Sequence, residues 1–585
     1  MVSLKIEETA RMPEYLSPGV YVEEFESGGV PVAGVSTSTA GFIGLAQRGE
    51  AEGLPELVTS FADFQRKFGS YLSENQFGEY RFLSYAVEHF FINGGSRAYV
   101  MRVAPEDAKS AINDSLGFIK LEAKNPGTWG DRIRILVTPS SKAKTQILEM
   151  LSPAQYRVKS GIGFNDGDIV TFTDGEEKQV RKIVMAQQNL LTLDVSLEGD
   201  VVDTNILPQK LLSTAEFDLQ VAYGDEVEIY EKLSLNPIGA NFIDKKVNKS
   251  SLIKLSCNLD EIGDMATPFD KIAGGEDTNS KFWIELSGGN DGSMANISAA
   301  DFMGKDLGPG KRTGIKSFID NEEVSIMAVP GITIPAVQLD LLAHCELKSN
   351  RFAILDIPRE TKKVNDIKEY RNMFDTSYGA LYHPWLKVFD PMDKRNIPIP
   401  PSGSIAGIFA RSDNTRGVHK APANEIVRAC VALDCQYNKG EQDILNPIGV
   451  NLIRFFTGQG IRVWGARTLS SNPLWRYINV RRLFIFLEES VKRSTDWVVF
   501  EPNDEELWAR VKRSLDNFLT GVWRTGALAG NAPGDAYFVK IDRTTMTQDD
   551  IDNGRLICVI GVSPVKPAEF VIFRFTQFTS ESGGE

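Results

Sequence analysis

The sequence predicts a multidomain protein mixing α/β and α+β parts: a central domain with a mixed α/β sheet, a β-rich inserted domain, and a C-terminal α+β domain. Three observations carry this. From residue 325 strand-like and helical stretches alternate (SIMAVPGI, PAVQLDLLAHCELKSN, RFAILDIP, VNDIKEYRNMF), the pattern of a largely parallel sheet covered by helices. Between residues 141 and 212 apolar residues alternate singly and are punctuated by NDG, TDGEE and QQN, which reads as a small all-β module. A length of 585 residues leaves room for three or four domains at about 100–200 residues each.

In chain order, residues 1–40 form an N-terminal arm and linker: 20–25 suit a short strand, and 27–39 are a loose Gly/Ser/Thr/Pro tether. A core occupies 41–140 and 213–415. Early in it SFADFQRKFG reads as a capped helix. GEYRFLSYAVEHFF reads as an amphipathic helix with Tyr80, Leu83, Val87 and Phe90 on one stripe, stopped by INGGSR. FDLQVAYGDEVEIYEKLSL, from Phe217, resumes strands suited to pair with residues 133–137, so 141–212 is an insertion into a β domain. Residues 416–585 form the C-terminal domain. There, 503–528 predicts a helix with Leu507, Val511, Leu515, Phe518 or Leu519, and Val522 on one face and Arg510, Arg513, Asn517 and Arg524 towards the other. Asn503 or Asp504 suits its N-cap. The chain ends on AEFVIFRFTQF, a strand over 568–578 with Phe570, Ile572 and Phe578 on one side and Val571, Phe573 and Phe575 on the other. Both terminal strands need a sheet edge from elsewhere.

Composition narrows the function. The net charge of −14 argues against a general nucleic-acid binder, which needs a basic surplus to neutralise phosphates. Five cysteines are too few for a disulfide framework in a chain this long and read as thiols of a reducing compartment. The first twenty residues hold no apolar stretch fit for a signal peptide, and no apolar run approaches the ~20 residues that span a bilayer. A soluble, cytoplasmic product is expected, without direct membrane insertion. The four histidines are scattered, with no HExxH, and Cys430 and Cys435 lie five apart, unlike a metal or redox pair. GKDLGPGKRTG fails as a phosphate loop because Arg312, not Ser or Thr, follows Lys311, and no GxSxG is present. Asp356 and Asp390, at strand ends, are the carboxylates an enzymatic reading could use, and neither has a visible partner. No catalytic residue, cofactor or metal site is predicted, which leaves a structural or binding protein.

YLSPGVYVEE, GVSTSTAGFIGLAQRG, FFINGGSRAYVMRV, NPGTWGDRIRI, RFAILDIP, DNTRGVHKAPANE, NPIGVNLIRFFTGQGIRVWGARTLS, WRYINVRRLFIFLEES and GVSPVKPAEFVIFRFTQF, in this order, resemble the tail sheath proteins of contractile phages and related injection systems. The resemblance covers 13–140 and about 217–585, and leaves 141–212 as an inserted surface module. It implies a subunit of stacked six-fold rings around an inner tube, with baseplate and terminator or cap proteins as further partners and no nucleic acid. Such a sheath contracts to drive its tube through a target envelope. It also implies that the N- and C-terminal arms are exchanged between subunits as added strands, making Val20, Tyr21, Val22, Phe25, Phe570, Val571, Ile572, Phe573 and Phe575 interface residues. The 27–39 tether and the KPAE turn then become hinges. The 503–528 helix would face the tube through Arg510, Arg513 and Arg524. The protein would assemble in the cytoplasm as part of a phage tail or tail-like particle, released on lysis. The other reading is a β-rich surface or capsid-like protein whose inserted module binds a ligand.

Overall fold

The computed structural model describes residues 32–115, 117–261, 266–272 and 282–572. These fall into two compact units: a large one within 35–489 and 564–572, and a small one comprising 32–34 and 490–563. The architecture is mixed α/β with several sheets and helices.

The large unit is built on an eight-stranded sheet in the order Glu56–Val58, Ala98–Val103, Ala40–Leu45, Ile326–Ala328, Phe352–Asp356, Gly379–His383, Val450–Phe456, Gly460–Val463. The six inner strands run parallel, and the two edges are antiparallel. Parallel strands need cover on both faces, and Ala40–Leu45, Ile326–Ala328 and Phe352–Asp356 are buried at every residue. On one face Phe42, Val100 and Ile354 join the core under helices Leu83–Asn93 and Ser402–Arg416. On the other, Ile43, Met101 and Leu355 pack with helices Pro335–Lys348 and Val364–Arg371. Helices Leu83–Asn93 and Ser402–Arg416 touch backbone to backbone. A Cβ at Gly403 would stand 2.3 Å from the Ala86 carbonyl oxygen, and one at Gly407 2.4 Å from that of Phe90.

The sheet corrects one expected boundary. Strands Val450–Phe456 and Gly460–Val463 complete it, so the central fold does not stop at 415, and the division between units falls at 489/490. A helix–strand alternation cannot reveal this, because the closing strands follow the long irregular stretch after Arg416.

Beside this sheet, Glu226–Leu233, Glu216–Tyr223, Arg134–Ser140 and Phe282–Glu285 form a four-stranded antiparallel sheet, with Leu219 opposite Val137. Out of it grows the insertion. Seven strands run in the order Lys144–Thr145, Lys210–Thr214, Ile169–Asp174, Glu177–Gln187, Leu190–Leu193, Gln155–Val158, Ile147–Ser152. The first and last are parted by Gln146 alone, so the sheet closes into a small barrel whose final strand reaches Thr214, two residues past the expected end. Tyr156, Val170, Phe172, Ile183, Leu191 and Leu212 fill the interior, so it is a packed core. At its root Lys142 Nζ lies 2.6 Å from Asp168 and 3.3 Å from Glu216, and Asn236 donates to Asp168 (2.9 Å). That network fixes the barrel to its host sheet.

The helix–helix contact sets a measurable expectation. Gly407→Val forces a side chain against the Phe90 carbonyl and should lower the unfolding free energy of the large unit by about 3 kcal/mol, the upper range for overpacking. Urea denaturation reads this directly, and an unchanged midpoint would contradict the packing described.

Candidate assembly surfaces

The N-terminal arm enters the large unit at Thr37, inside the expected hinge. Arg482, on helix Ile478–Ser494, pairs in bidentate fashion with Asp413, on helix Ser402–Arg416 (2.8 and 2.6 Å). The same guanidinium donates to the Thr37 carbonyl (2.8 Å), and the Thr37 hydroxyl donates to Asp413 (2.6 Å). Both charged side chains are buried, and Arg482 lies over the Phe409 ring at 4.7 Å. Residue 37 is therefore clamped within the stretch expected to be a hinge.

The C-terminal arm is clamped at Glu569. Arg467 grips its carboxylate with Nε and Nη2 (2.9 and 2.6 Å), joined by Asn446 (2.7 Å) and the Tyr477 hydroxyl (3.1 Å). Burial alone would raise the Glu569 pKa, but the hydrogen bonds from Arg467 and Asn446 and the Arg467 charge hold it below the usual carboxylate value. The KPAE turn, expected to be a hinge, is thus an anchor. Beyond the clamp Phe570, Val571 and Ile572 are 74%, 68% and 77% exposed and belong to no strand. They leave a groove of about 1000 Å³ whose lining includes Trp464, Tyr477, Asn479, Lys566 and Phe570. Of the expected interface residues, Val20, Tyr21, Val22, Phe25, Phe573 and Phe575 lie outside the described residues.

The small unit holds what sequence reasoning missed. Tyr537–Lys540 and Val559–Val562 pair as an antiparallel sheet of two strands, with Phe538 opposite Gly561. Gly561 leaves its Cβ position to the Phe538 ring, which is nevertheless 56% exposed, and Val559 and Ile560 are exposed beside it. No third strand joins them among the described residues. A two-stranded sheet is marginal alone. The signal in the sequence was only YFVK and VIGV, each too short to stand out.

The predicted basic helix spans Glu505–Arg524, capped by Asp504, whose carboxylate accepts from the Leu507 N–H (2.8 Å). Leu507, Val511, Leu515, Leu519 and Val522 are buried as expected, along with Trp508. Its cations separate into two groups. Arg510 is bound to Glu501 (3.0 Å) and lies over Trp497 at 5.4 Å, so it braces its own unit. Arg513 and Arg524 are exposed, as is Lys512.

The carboxylates an enzyme would need are engaged structurally. Asp356 is buried and accepts from the Gly331 N–H (3.1 Å) and from the N–H and hydroxyl of Ser402 (3.0 and 2.7 Å), tying strand Phe352–Asp356 to the start of helix Ser402–Arg416. Burial pushes its pKa up to about 6. Asp390 is buried 4.0 Å from Arg81 and accepts from the Met392 N–H. Cys435 Sγ is 3.7 Å from His383, but burial raises the thiol and pushes the imidazole down to about 3, the wrong direction for a thiolate–imidazolium pair. Among the described residues no group of three His, Cys, Asp or Glu side chains could hold a metal, and no helix is long and apolar enough to cross a membrane.

Two family models match in succession: the phage tail sheath protein central domain over residues 308–469 and the phage tail sheath C-terminal domain over 470–578. The chain belongs to the contractile phage tail sheath family. It is 25% identical over 260 residues to the tail sheath protein of Escherichia phage P2, which covers 42% of this chain and 62% of that one. It is 24% identical over 279 residues to a putative prophage major tail sheath protein of Pseudomonas aeruginosa (45% and 69%). With the tail sheath protein of a Vibrio phage, KVP40, it shares 26% over 211 residues, only 31% of that relative's length. In fold it is similar to the PVC sheath complex of an extracellular contractile injection system in its contracted state (TM-score 0.52, 21% identity, 98% of this chain and 100% of that one). It is also similar to the sheath tail protein of Listeria innocua (TM-score 0.51, 11% identity, 92% and 96%).

Acid should loosen the large unit. Burial lowers His89 to about 4 and, with nearby Arg351 for His344, lowers His344 and His383 to about 3, against an ordinary 6.5. Folded, they stay neutral, so the stability they contribute is complete above pH 6.5 and is lost as pH falls towards 4. Burial also raises Asp356, Glu88 and Glu488, which has the opposite sign, but the Asp356 window opens only near pH 6, after the histidines have begun to act. The melting temperature should therefore fall from pH 7 to 4.5, and a flat or rising profile would contradict this.

Proposed function

We propose that the chain is a structural subunit of a contractile sheath, polymerising as stacked six-fold rings around an inner tube and contracting to drive that tube through a target envelope. The observation that carries the proposal is a mismatch of strands within one chain. Phe570–Ile572 leave the clamp at Glu569 exposed and outside any strand, while the small unit's two-stranded sheet has no third strand among the described residues. Residues 20–25 and 570–575 of one subunit add to the Tyr537–Lys540 and Val559–Val562 sheets of its neighbours, pairing backbone groups that a single chain leaves open. The clamps at Thr37 and Glu569 then join each rigid large unit to two neighbours, with the hinges just outside them.

The exposed cations Arg513 and Arg524 face an acidic tube surface. Each such contact contributes about 0–1 kcal/mol, weak enough to break in contraction and repeated around every ring. Contraction needs no nucleotide, since the free energy lies in the difference between two lattices and is stored at assembly. The protein acts without catalysis. It assembles in the cytoplasm on a tube and baseplate, is closed by a terminator, and leaves on lysis. The barrel at 144–214 decorates the outer surface. Its interior is filled by its own side chains, as in a packed core.

Deleting 13–26 or 570–585 should leave folded subunits, with melting temperatures within about 2 °C of the intact chain for losses this far from the core, that no longer form cylinders by negative-stain microscopy. Normal cylinders from either deletion would contradict strand exchange by that arm.

A further inference from the structure

The two arm clamps meet at one buried side chain. Asn479 is 1% exposed. It lies three residues before Arg482 on helix Ile478–Ser494, so the two share a face about 4.5 Å apart along the axis. Its Nδ2 donates to two carbonyl oxygens, that of His419 (2.8 Å) and that of Val565 (3.3 Å). Both acceptors are carbonyls, so only the amide nitrogen can face them, and the orientation of the group is fixed. Its Oδ1 has no partner among the described residues. A buried acceptor without a donor is unfavourable, and leucine, of similar size, would avoid it. Asparagine here therefore serves its two donations.

Those donations lead to opposite ends of the chain. On one side the Lys420 N–H donates to the Gly417 carbonyl (3.1 Å) and the Gly417 N–H to that of Asp413 (2.9 Å), which ties the His419 loop to the end of helix Ser402–Arg416. The Asp413 carboxylate holds Arg482 and Thr37. On the other side Val565 stands four residues before Glu569, across Pro567, whose ring stiffens the connection. Glu569 is gripped by Arg467 and Tyr477, which also pair with each other through their backbones. Groups in one hydrogen-bond network are energetically coupled, and contiguous networks open as units. We propose that Asn479 joins the Thr37 and Glu569 clamps into a single cooperative unit, so that a neighbour ordering one arm also holds the other in place. The cost of ordering then falls on the first contact and not on the second, which makes growth of the assembly cooperative. That consequence rests on the arm-exchange reading; the junction itself does not.

The test is hydrogen–deuterium exchange on the free subunit, read at residues 417 and 420 beside the Thr37 clamp and at 467 and 468 beside the Glu569 clamp. The Arg467 N–H donates to the Asn451 side chain (2.7 Å) and that of Thr468 to the Arg476 carbonyl (2.8 Å), so all four amides report opening. Glu569→Gln should speed exchange at 417 and 420 by about fivefold or more, and Thr37→Val should do the same at 467 and 468. In an Asn479→Leu chain both cross-effects should fall below about twofold, while each substitution still acts at its own clamp. Asn479→Ser, too short to span the two carbonyls, takes its place if the leucine chain does not fold. Absence of cross-effects in the intact chain overturns the proposal without any Asn479 variant. Cross-effects that persist in both variants overturn the role of Asn479. Asn479→Leu subunits should also need a concentration about fivefold higher to form cylinders, and an unchanged threshold overturns the link to assembly. If the intact chain forms no cylinders on its tube, the sheath reading fails, and the exchange result still decides the junction.

Discussion

Backbone pairing is the constraint on which the rest of this structure depends. A strand's N–H and C=O groups must find partners when they are buried, and edges left open invite another chain. In most of the molecule this is settled internally. The eight-stranded sheet ends in antiparallel edge strands, and the inserted barrel closes on itself through Gln146. Two places stand out among the described residues, the exposed run Phe570–Ile572 and the isolated pair Tyr537–Lys540 with Val559–Val562. The exposed run Phe570–Ile572 and the isolated strand pair are the features on which the proposed sheath assembly rests.

Magnitudes order the contacts in such a lattice. The Arg482–Asp413 pair is buried, bidentate and shared with Thr37, and removing one member of such a pair costs about 3–5 kcal/mol. The Arg467–Glu569 grip is built similarly from four hydrogen bonds. Exposed charges on helix Glu505–Arg524 contribute far less each. In the proposed sheath a pull along the arms would meet firm anchors in the large unit, and contacts to a tube would let go first. Rigid bodies joined by short flexible connections can rotate without separating, the general form of a hinge transition.

Much of this was legible in the sequence, for local reasons. The buried face of Glu505–Arg524 follows from 3.6-residue periodicity, Asp504 from capping chemistry, and the pairing of Glu216–Tyr223 with Arg134–Ser140 from alternation on either side of an insertion. What failed to show depends on distant partners. Arg510 looks identical to Arg513 in the sequence, and only the folded loop brings Glu501 and Trp497 to it. Thr37 reads as part of a loose linker until Asp413 and Arg482 close on it. The boundary expected at 416 ignored two strands that no local pattern assigns to the central sheet.

The central claim is that the small unit's two-stranded sheet is completed by strands of other subunits. Hydrogen–deuterium exchange tests it most directly, by following the amides of residues 537–540 and 559–562 in free subunits and in assembled cylinders. The account predicts fast exchange in the free subunit, outside the bonds the two strands make with each other, and strong protection of the outer-edge amides on assembly, matched by protection of residues 570–572. Equal exchange in both states would contradict it.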